Sequence, residues 1–115
     1  MKHQESQLQQ SAKRWFDYQY PDMARMLIAI PNGGKRGKIE AGIMKAEGVT
    51  KGAPDMVLFA AKNGYNFLCL EFKTATGRQS ESQKAWQADA ERNGSKYVII
   101  RSVDQFIETI NNYLK

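Results

Sequence analysis

An α/β sandwich built on a mixed β-sheet is the fold this sequence predicts, and three observations predict it. Apolar runs of strand length occur at residues 26–30, 55–61, 67–73 and 96–101. Segments whose apolar positions recur at helical spacing flank and separate these runs. Asn63 and Gly64, between the second and third runs, form the strongest short-range hairpin signal. The resulting order, α-β-α-β-β-α-β-α, is that of a sheet flanked by helices. A chain of 115 residues with 42% hydrophobic content suffices for one core and not for two, so residues 1–115 are expected to form a single domain.

The net charge of +5 favours a polyanionic partner such as nucleic acid over an acidic substrate. The single cysteine, Cys69, lies inside an apolar run. It excludes an intrachain disulfide and a zinc cluster, and reads as a buried core thiol in a reducing compartment. There is no charged-then-apolar leader, and no apolar run approaches the about 20 residues a membrane span needs. A cytoplasmic protein without a membrane partner is the expectation.

The first helix is expected over 4–19, where Leu8, Ala12, Trp15 and Phe16 recur on one face. Glu5 falls in the middle of that stripe together with Gln9. It reads either as a first-turn response to the helix dipole or as an acid aimed at a site across the packed face. His3 has no partner at metal-binding spacing and reads as a solvated terminal residue. Pro21 ends the helix, and 26–30 reads as a short buried strand stopped by Pro31.

The basic, glycine-rich segment 31–38 includes Asn32, Lys35, Arg36 and Lys38. Its glycine spacing excludes a Walker-type phosphate loop. Backbone N–H groups and cations can still lie along a phosphodiester there, or the loop is simply solvated. Residues 39–47 read as a helix closed by Gly48.

Pro54 suits the first residue of a strand, and Gly52 before it would let a phosphate approach the backbone. The run 55–61 is apolar after Asp55, which predicts a strand covered on both faces with an acid at its lip. In the partner strand, alternation puts Glu71 and Lys73 on one face and Leu68, Leu70 and Phe72 on the other. A two-residue Asn63–Gly64 turn in an unbroken ladder would pair Asp55 with Phe72 and separate the acids. A three-residue loop of Lys62, Asn63 and a left-handed Gly64 pairs Asp55 with Glu71 instead, with Cα atoms about 4.5–5.5 Å apart. Two carboxylates at that spacing repel, and a shared divalent cation relieves the repulsion.

Ser80, Glu81, Ser82 and Gln83 form a capping-box pattern that opens a helix ending at Gly94. Gln83, Trp86, Gln87 and Ala90 share a face of it. The Gln83 amide either completes the cap or orients a water or phosphate oxygen, since one rotamer cannot do both. Residues 96–101 read as another buried strand. Ser102 and Gln105 repeat the cap before a final helix whose core stripe is Phe106, Ile107, Ile110, Tyr113 and Leu114.

Pro54–Asp55 followed by Glu71–Phe72–Lys73 resembles the signature of the PD-(D/E)XK nuclease superfamily. The flanks sharpen the resemblance: Glu5 with Gln9, Pro31–Asn32–Gly33, Ala46–Glu47–Gly48 ahead of Lys51–Gly52–Ala53, Ser82–Gln83 with Trp86, and Val98 to Arg101. Together they resemble the VRR-NUC (virus-type replication-repair nuclease) group over nearly the whole chain, in its small stand-alone phage and bacterial form. The same domain is similar to the catalytic end of the Fanconi-associated structure-specific nuclease.

The resemblance implies a restriction-endonuclease-like core and a DNA endonuclease dependent on Mg²⁺ or Mn²⁺. It implies that Asp55, Glu71 and the Phe72 carbonyl hold metal, that Lys73 attends the attacking water, and that Gln83 stands beside the site. Glu5 corresponds to the family's helix-borne acid. Whether Lys73 acts as a base or as a cation that stabilises the transition state is open. The expected DNA-contacting residues are Asn32, Lys35, Arg36, Lys38, Lys51, Gly52, Arg78 and Lys84.

The expected substrate is branched or otherwise structured DNA, such as Holliday junctions or flaps, because so short a chain has little room for a base-reading element. The alternatives are a sequence-specific restriction-type nuclease and a non-catalytic DNA-binding module that keeps the fold. No organic cofactor is expected. A homodimer is, since paired cuts in a symmetric junction match a two-fold protein, with the Ile39, Ile43 and Met44 stripe as the favoured contact.

Overall fold

A computed structural model of the protein describes residues 3–31 and 37–115. Four strands form one sheet in the order β1-β2-β3-β4, namely Leu27–Ala29, Met56–Leu58, Leu68–Phe72 and Lys96–Ile100. The first two pairings are antiparallel and β3 runs parallel to β4, so the sheet is mixed as expected. The parallel pair needs a crossover, and α3 (Glu81–Arg92) supplies it.

The sheet has two differently covered faces. On one, Met56, Leu58, Leu68, Leu70, Phe72 and Ile100 pack with Ala12 and Phe16 of α1 (His3–Gln19) and with Phe106, Ile110 and Tyr113 of α4 (Val103–Tyr113). On the other, a smaller cluster of Val57, Cys69 and Tyr97 packs under Ala90 and Trp86 of α3. Period-two alternation divides the strands between these layers, and Glu71 falls on the α3 face with Cys69. The smaller layer leaves room at its edge for polar groups.

Both caps read from the sequence are present. Ser80 Oγ accepts from the Gln83 amide at 3.2 Å, and Gln83 Oε1 accepts from the Ser80 amide at 2.8 Å. Ser102 Oγ accepts from the Gln105 amide at 3.1 Å. Helix α2 (Lys38–Ala46) ends before Gly48, which has φ +108°. Lys38 is therefore the first residue of that helix rather than part of the preceding loop.

Several local expectations are corrected. The connection after β2 is a two-residue turn, not a three-residue loop: Lys62 and Tyr65 exchange backbone hydrogen bonds at 3.1 and 2.9 Å. Asn63 and Gly64 both have positive φ, 53° and 85°, as a type I′ turn requires. The extra residue lies further back, where residues 59–61 on one arm face 66 and 67 on the other. This bulge ends β2 at Leu58 and leaves Phe59 exposed, edge-on to Phe67 with centroids 4.8 Å apart, so the run 55–61 is not one buried strand.

The first strand is shorter than expected, because Pro21–Met26 forms a 3-10 helix that takes Met26 from it. Only Leu27 of β1 is buried. β1 lies at the sheet's edge, where it has one neighbour.

Candidate active site

Pro54 fixes the approach to β2, and Asp55 stands immediately before the strand. Its carbonyl accepts from the Ile30 amide at 2.8 Å, tying the backbone to the β1 side of the sheet. Extending the Met56–Leu70 register by one residue sets Asp55 opposite Glu71. The side chain reaches one residue further, and Asp55 Oδ2 accepts from the Phe72 amide at 2.6 Å.

The Asp55 carboxyl is held above the usual carboxylate range. Burial is the main cause, and the Phe72 amide pulls in the opposite direction. The charges of Glu71 and Glu5 raise it further, and that of Lys73 lowers it. Burial first, and the neighbouring acids after it, thus disfavour the charge on Asp55.

Glu71 is fully buried, 0% exposed. Its Oε1 accepts the Tyr97 hydroxyl at 2.6 Å and the Gln79 amide nitrogen at 3.0 Å. The same Gln79 nitrogen donates to Gln87 Oε1 of α3 at 2.7 Å. Glu71 Oε2 has no hydrogen-bond partner, although Lys73 Nζ lies 3.6 Å away, at ion-pair distance. A buried carboxylate oxygen left without a donor is costly and calls for an explanation. A small hard cation, which takes oxygen ligands, supplies one.

The donor set fits Mg²⁺ or Mn²⁺: two carboxylates on adjacent strands, with the Phe72 carbonyl on the same strand as Glu71. Glu5, half-buried on α1, is near enough for its charge to act on Asp55. Among the described residues, however, no three His, Cys, Asp or Glu side chains come together as a metal-holding group. Glu5 acts on Asp55 through its charge without forming such a group with Asp55 and Glu71.

Gln83 is in its capping rotamer, so in this structure its amide oxygen serves the α3 N-terminus and not a site oxygen. It still lines a cavity of about 210 Å³ together with Lys51, Gly52, Asp55, Ser80 and Ser82. The glutamine that touches the acidic pair is Gln79. Its sequence position, in a polar loop without periodicity, gives no signal, and Tyr97 was hidden as one more apolar strand residue.

Gly52 has φ +89°, and a Cβ there would stand 2.3 Å from the Ser82 carbonyl oxygen. The glycine is required by the close packing of the 49–54 segment on the first turn of α3, a reason separate from any ligand. Of the expected DNA contacts, Lys38, Lys51, Arg78 and Lys84 are exposed, and Lys84 pairs with Glu81 at 3.4 Å. Asn32, Lys35 and Arg36 lie outside the described residues.

A mixed sheet that brings Pro54–Asp55 and Glu71–Phe72–Lys73 together at the end of one face is a nuclease-like α/β fold. A family model for the VRR-NUC domain matches residues 1–104, and the chain belongs to that family. A solved structure described as a VRR_NUC domain protein superposes with a TM-score of 0.84 at 22% identity, covering 99% of this chain and 90% of that one. No curated protein matches the chain.

Proposed function

We propose that this chain is a divalent-metal-dependent endonuclease that hydrolyses DNA phosphodiester bonds, with a preference for branched or otherwise structured DNA. The observation that carries the proposal is the buried Glu71 Oε2, which has no hydrogen bond, lies 3.6 Å from Lys73 Nζ and stands opposite Asp55. Membership of the VRR-NUC family supports the nuclease reading.

Asp55, Glu71 and the Phe72 carbonyl would hold Mg²⁺ or Mn²⁺, with Glu5 as an outer acid. When bound, the ion supplies charge neutralisation at the phosphate and acidity to the attacking water. Lys73 stands 3.6 Å from Glu71 Oε2 and reaches the same space, where it orients the water or offsets charge developing on the phosphate. Lys51 lines the cavity beside Asp55 and is placed to meet a neighbouring phosphate. Lys38, Arg78 and Lys84 are exposed cations that would meet further phosphates, in keeping with the net charge of +5, and Asn32, Lys35 and Arg36 are assigned to DNA contact by their chemistry in the sequence alone.

The working form is a homodimer. Helix α2 buries none of its residues, and Ile39 and Ile43 are 80% and 53% exposed. A second copy on this stripe would give two sites related by a two-fold axis, matching a symmetric junction.

Incubating the protein with junction, flap and linear duplex DNA, with EDTA, Mg²⁺ or Mn²⁺, tests the proposal. Metal-dependent cleavage favouring the branched substrates is expected. Binding without cleavage in either ion would instead identify a DNA-binding module.

A further inference from the structure

We infer that Tyr97 and Gln79 set the ion preference of the acidic pair: by occupying Glu71 Oε1 they limit Glu71 to one free oxygen, which favours Mg²⁺ and Mn²⁺ over Ca²⁺. The inference rests on the metal-dependent reading above and adds two residues that contact Glu71 rather than the ion. They are positioning residues.

A carboxylate oxygen offers two lone pairs, and Glu71 Oε1 accepts two hydrogen bonds, from the Tyr97 hydroxyl at 2.6 Å and from Gln79 Nε2 at 3.0 Å. Neither lone pair remains for a cation. Oε2 is buried and without a hydrogen bond, so it is the oxygen left to ligate. At Asp55, by contrast, Oδ2 accepts one hydrogen bond, from the Phe72 amide at 2.6 Å, and keeps a second lone pair, so the restriction lies at Glu71. Glu71 is thereby disposed to give one oxygen, and bidentate coordination by it would require breaking both bonds to Oε1.

The two candidate classes of ion respond differently to that restriction. Ca²⁺ collects six to eight oxygens at about 2.3–2.6 Å and readily takes carboxylates bidentately. Mg²⁺ holds octahedral geometry at about 2.0–2.1 Å, keeps several waters, and is satisfied by one or two single carboxylate oxygens. A Glu71 limited to one oxygen supplies what the smaller ion needs and withholds the bidentate carboxylate that the larger one uses.

The hydrogen bonds to Oε1 are themselves held. Tyr97 lies on β4 in the register that pairs it with Cys69 and pairs Ile99 with Glu71, and its ring packs near Trp86 with centroids 6.4 Å apart. A phenylalanine would fill this cluster equally well, so the hydroxyl's task is the bond to Glu71. Gln79 is oriented from its other side by Gln87, whose own amide donates to Glu91 at 3.2 Å. The loop before Gln79 is clamped by Arg101, whose Nη1 donates to the carbonyls of Thr74 at 2.7 Å and Gly77 at 2.8 Å.

The test is calorimetric titration of the metal-free 115-residue chain with MnCl₂ and with CaCl₂, for wild type, Tyr97→Phe and Gln79→Met. Wild type is expected to bind Mn²⁺ at least about tenfold more tightly than Ca²⁺, and each variant to narrow that ratio by roughly tenfold, the lower end of the effect of outer-shell partners. The ratio is taken within one variant, so a general loosening of the fold cancels. Should Tyr97→Phe fail to fold, Gln79→Met, on a half-buried loop residue, decides alone. Variants that keep the wild-type ratio, or a wild type that binds Ca²⁺ as tightly as Mn²⁺, overturn the inference and leave the nuclease reading standing. A wild type that binds neither ion removes both.

Discussion

Asp55 Oδ2 accepts the amide of Phe72 at 2.6 Å, one residue beyond its register partner Glu71. The bond locks the acid that precedes β2 onto the strand that carries Glu71 and Lys73. It also keeps two like charges close, and that pairing gives the site measurable properties with and without metal.

Asp55→Asn, Glu71→Gln and Lys73→Ala should each lower DNA cleavage by about 10²-fold or more, the usual scale for lost electrostatic or acid–base groups. Far-UV circular dichroism should show the fold retained. Near wild-type turnover in saturating Mg²⁺ by any one of them would remove that residue from the mechanism.

Metal-free Asp55→Asn should melt at a higher temperature than wild type at neutral pH. The asparagine oxygen can still accept from Phe72, while the charge that burial and Glu71 oppose is gone. Because the folded carboxyl binds its proton more tightly than the unfolded one, whose value is 3.8, its contribution to stability falls as pH rises above that value. The advantage of the variant should therefore shrink as pH is lowered toward 4. Saturating Mn²⁺ should reverse the order at neutral pH, since an ion present at a hundredfold its Kd adds about 2.7 kcal/mol to wild type.

Gly52→Ala should destabilise the protein by roughly 2 kcal/mol or more, from a strained positive φ together with the clash against the Ser82 carbonyl. Gly48→Ala, at φ +108° with nothing near its Cβ position, should lose less. Urea unfolding of the two variants side by side gives the comparison, and equal losses would show that the contact with α3 is unimportant.

Cys69 should resist iodoacetamide in the folded protein at pH 8, because burial pushes its thiol up to about 11. The unfolded thiol titrates near 9.0, so between these values rising pH costs folded-state stability. Mass spectrometry after timed alkylation, with a urea-unfolded control, reads this directly. Rapid labelling of the native protein would contradict the burial of β3.

Light scattering at micromolar concentration should return twice 13.1 kDa. Ile39→Glu together with Ile43→Glu should return the monomer with an unchanged circular dichroism spectrum, because α2 buries none of its residues within its own chain. A dimer that survives both charges would place the contact elsewhere.

What the sequence determined by itself was whatever depends on local spacing. Helical stripes, the Ser80 and Ser102 caps, the Pro21 stop and the shared face of Glu71 and Lys73 follow from periods of 3.6 and 2 and from the chemistry of single turns, which act over a few residues. Even the pairing of Asp55 with Glu71 was legible, because two acids on opposite faces would have no common task. The route to that pairing was not: Asn63 and Gly64 kept their preferred tight turn, and the compensating residue entered at 59–61, where pairing with β1 and Phe59–Phe67 packing decide the cost. Gln79 and Tyr97 were equally invisible, since a loop amide and a strand hydroxyl become partners of Glu71 only when the parallel pairing of β4 and the α3 crossover bring them together. Contacts between residues far apart in the chain depend on how layers stack, and no local period encodes that.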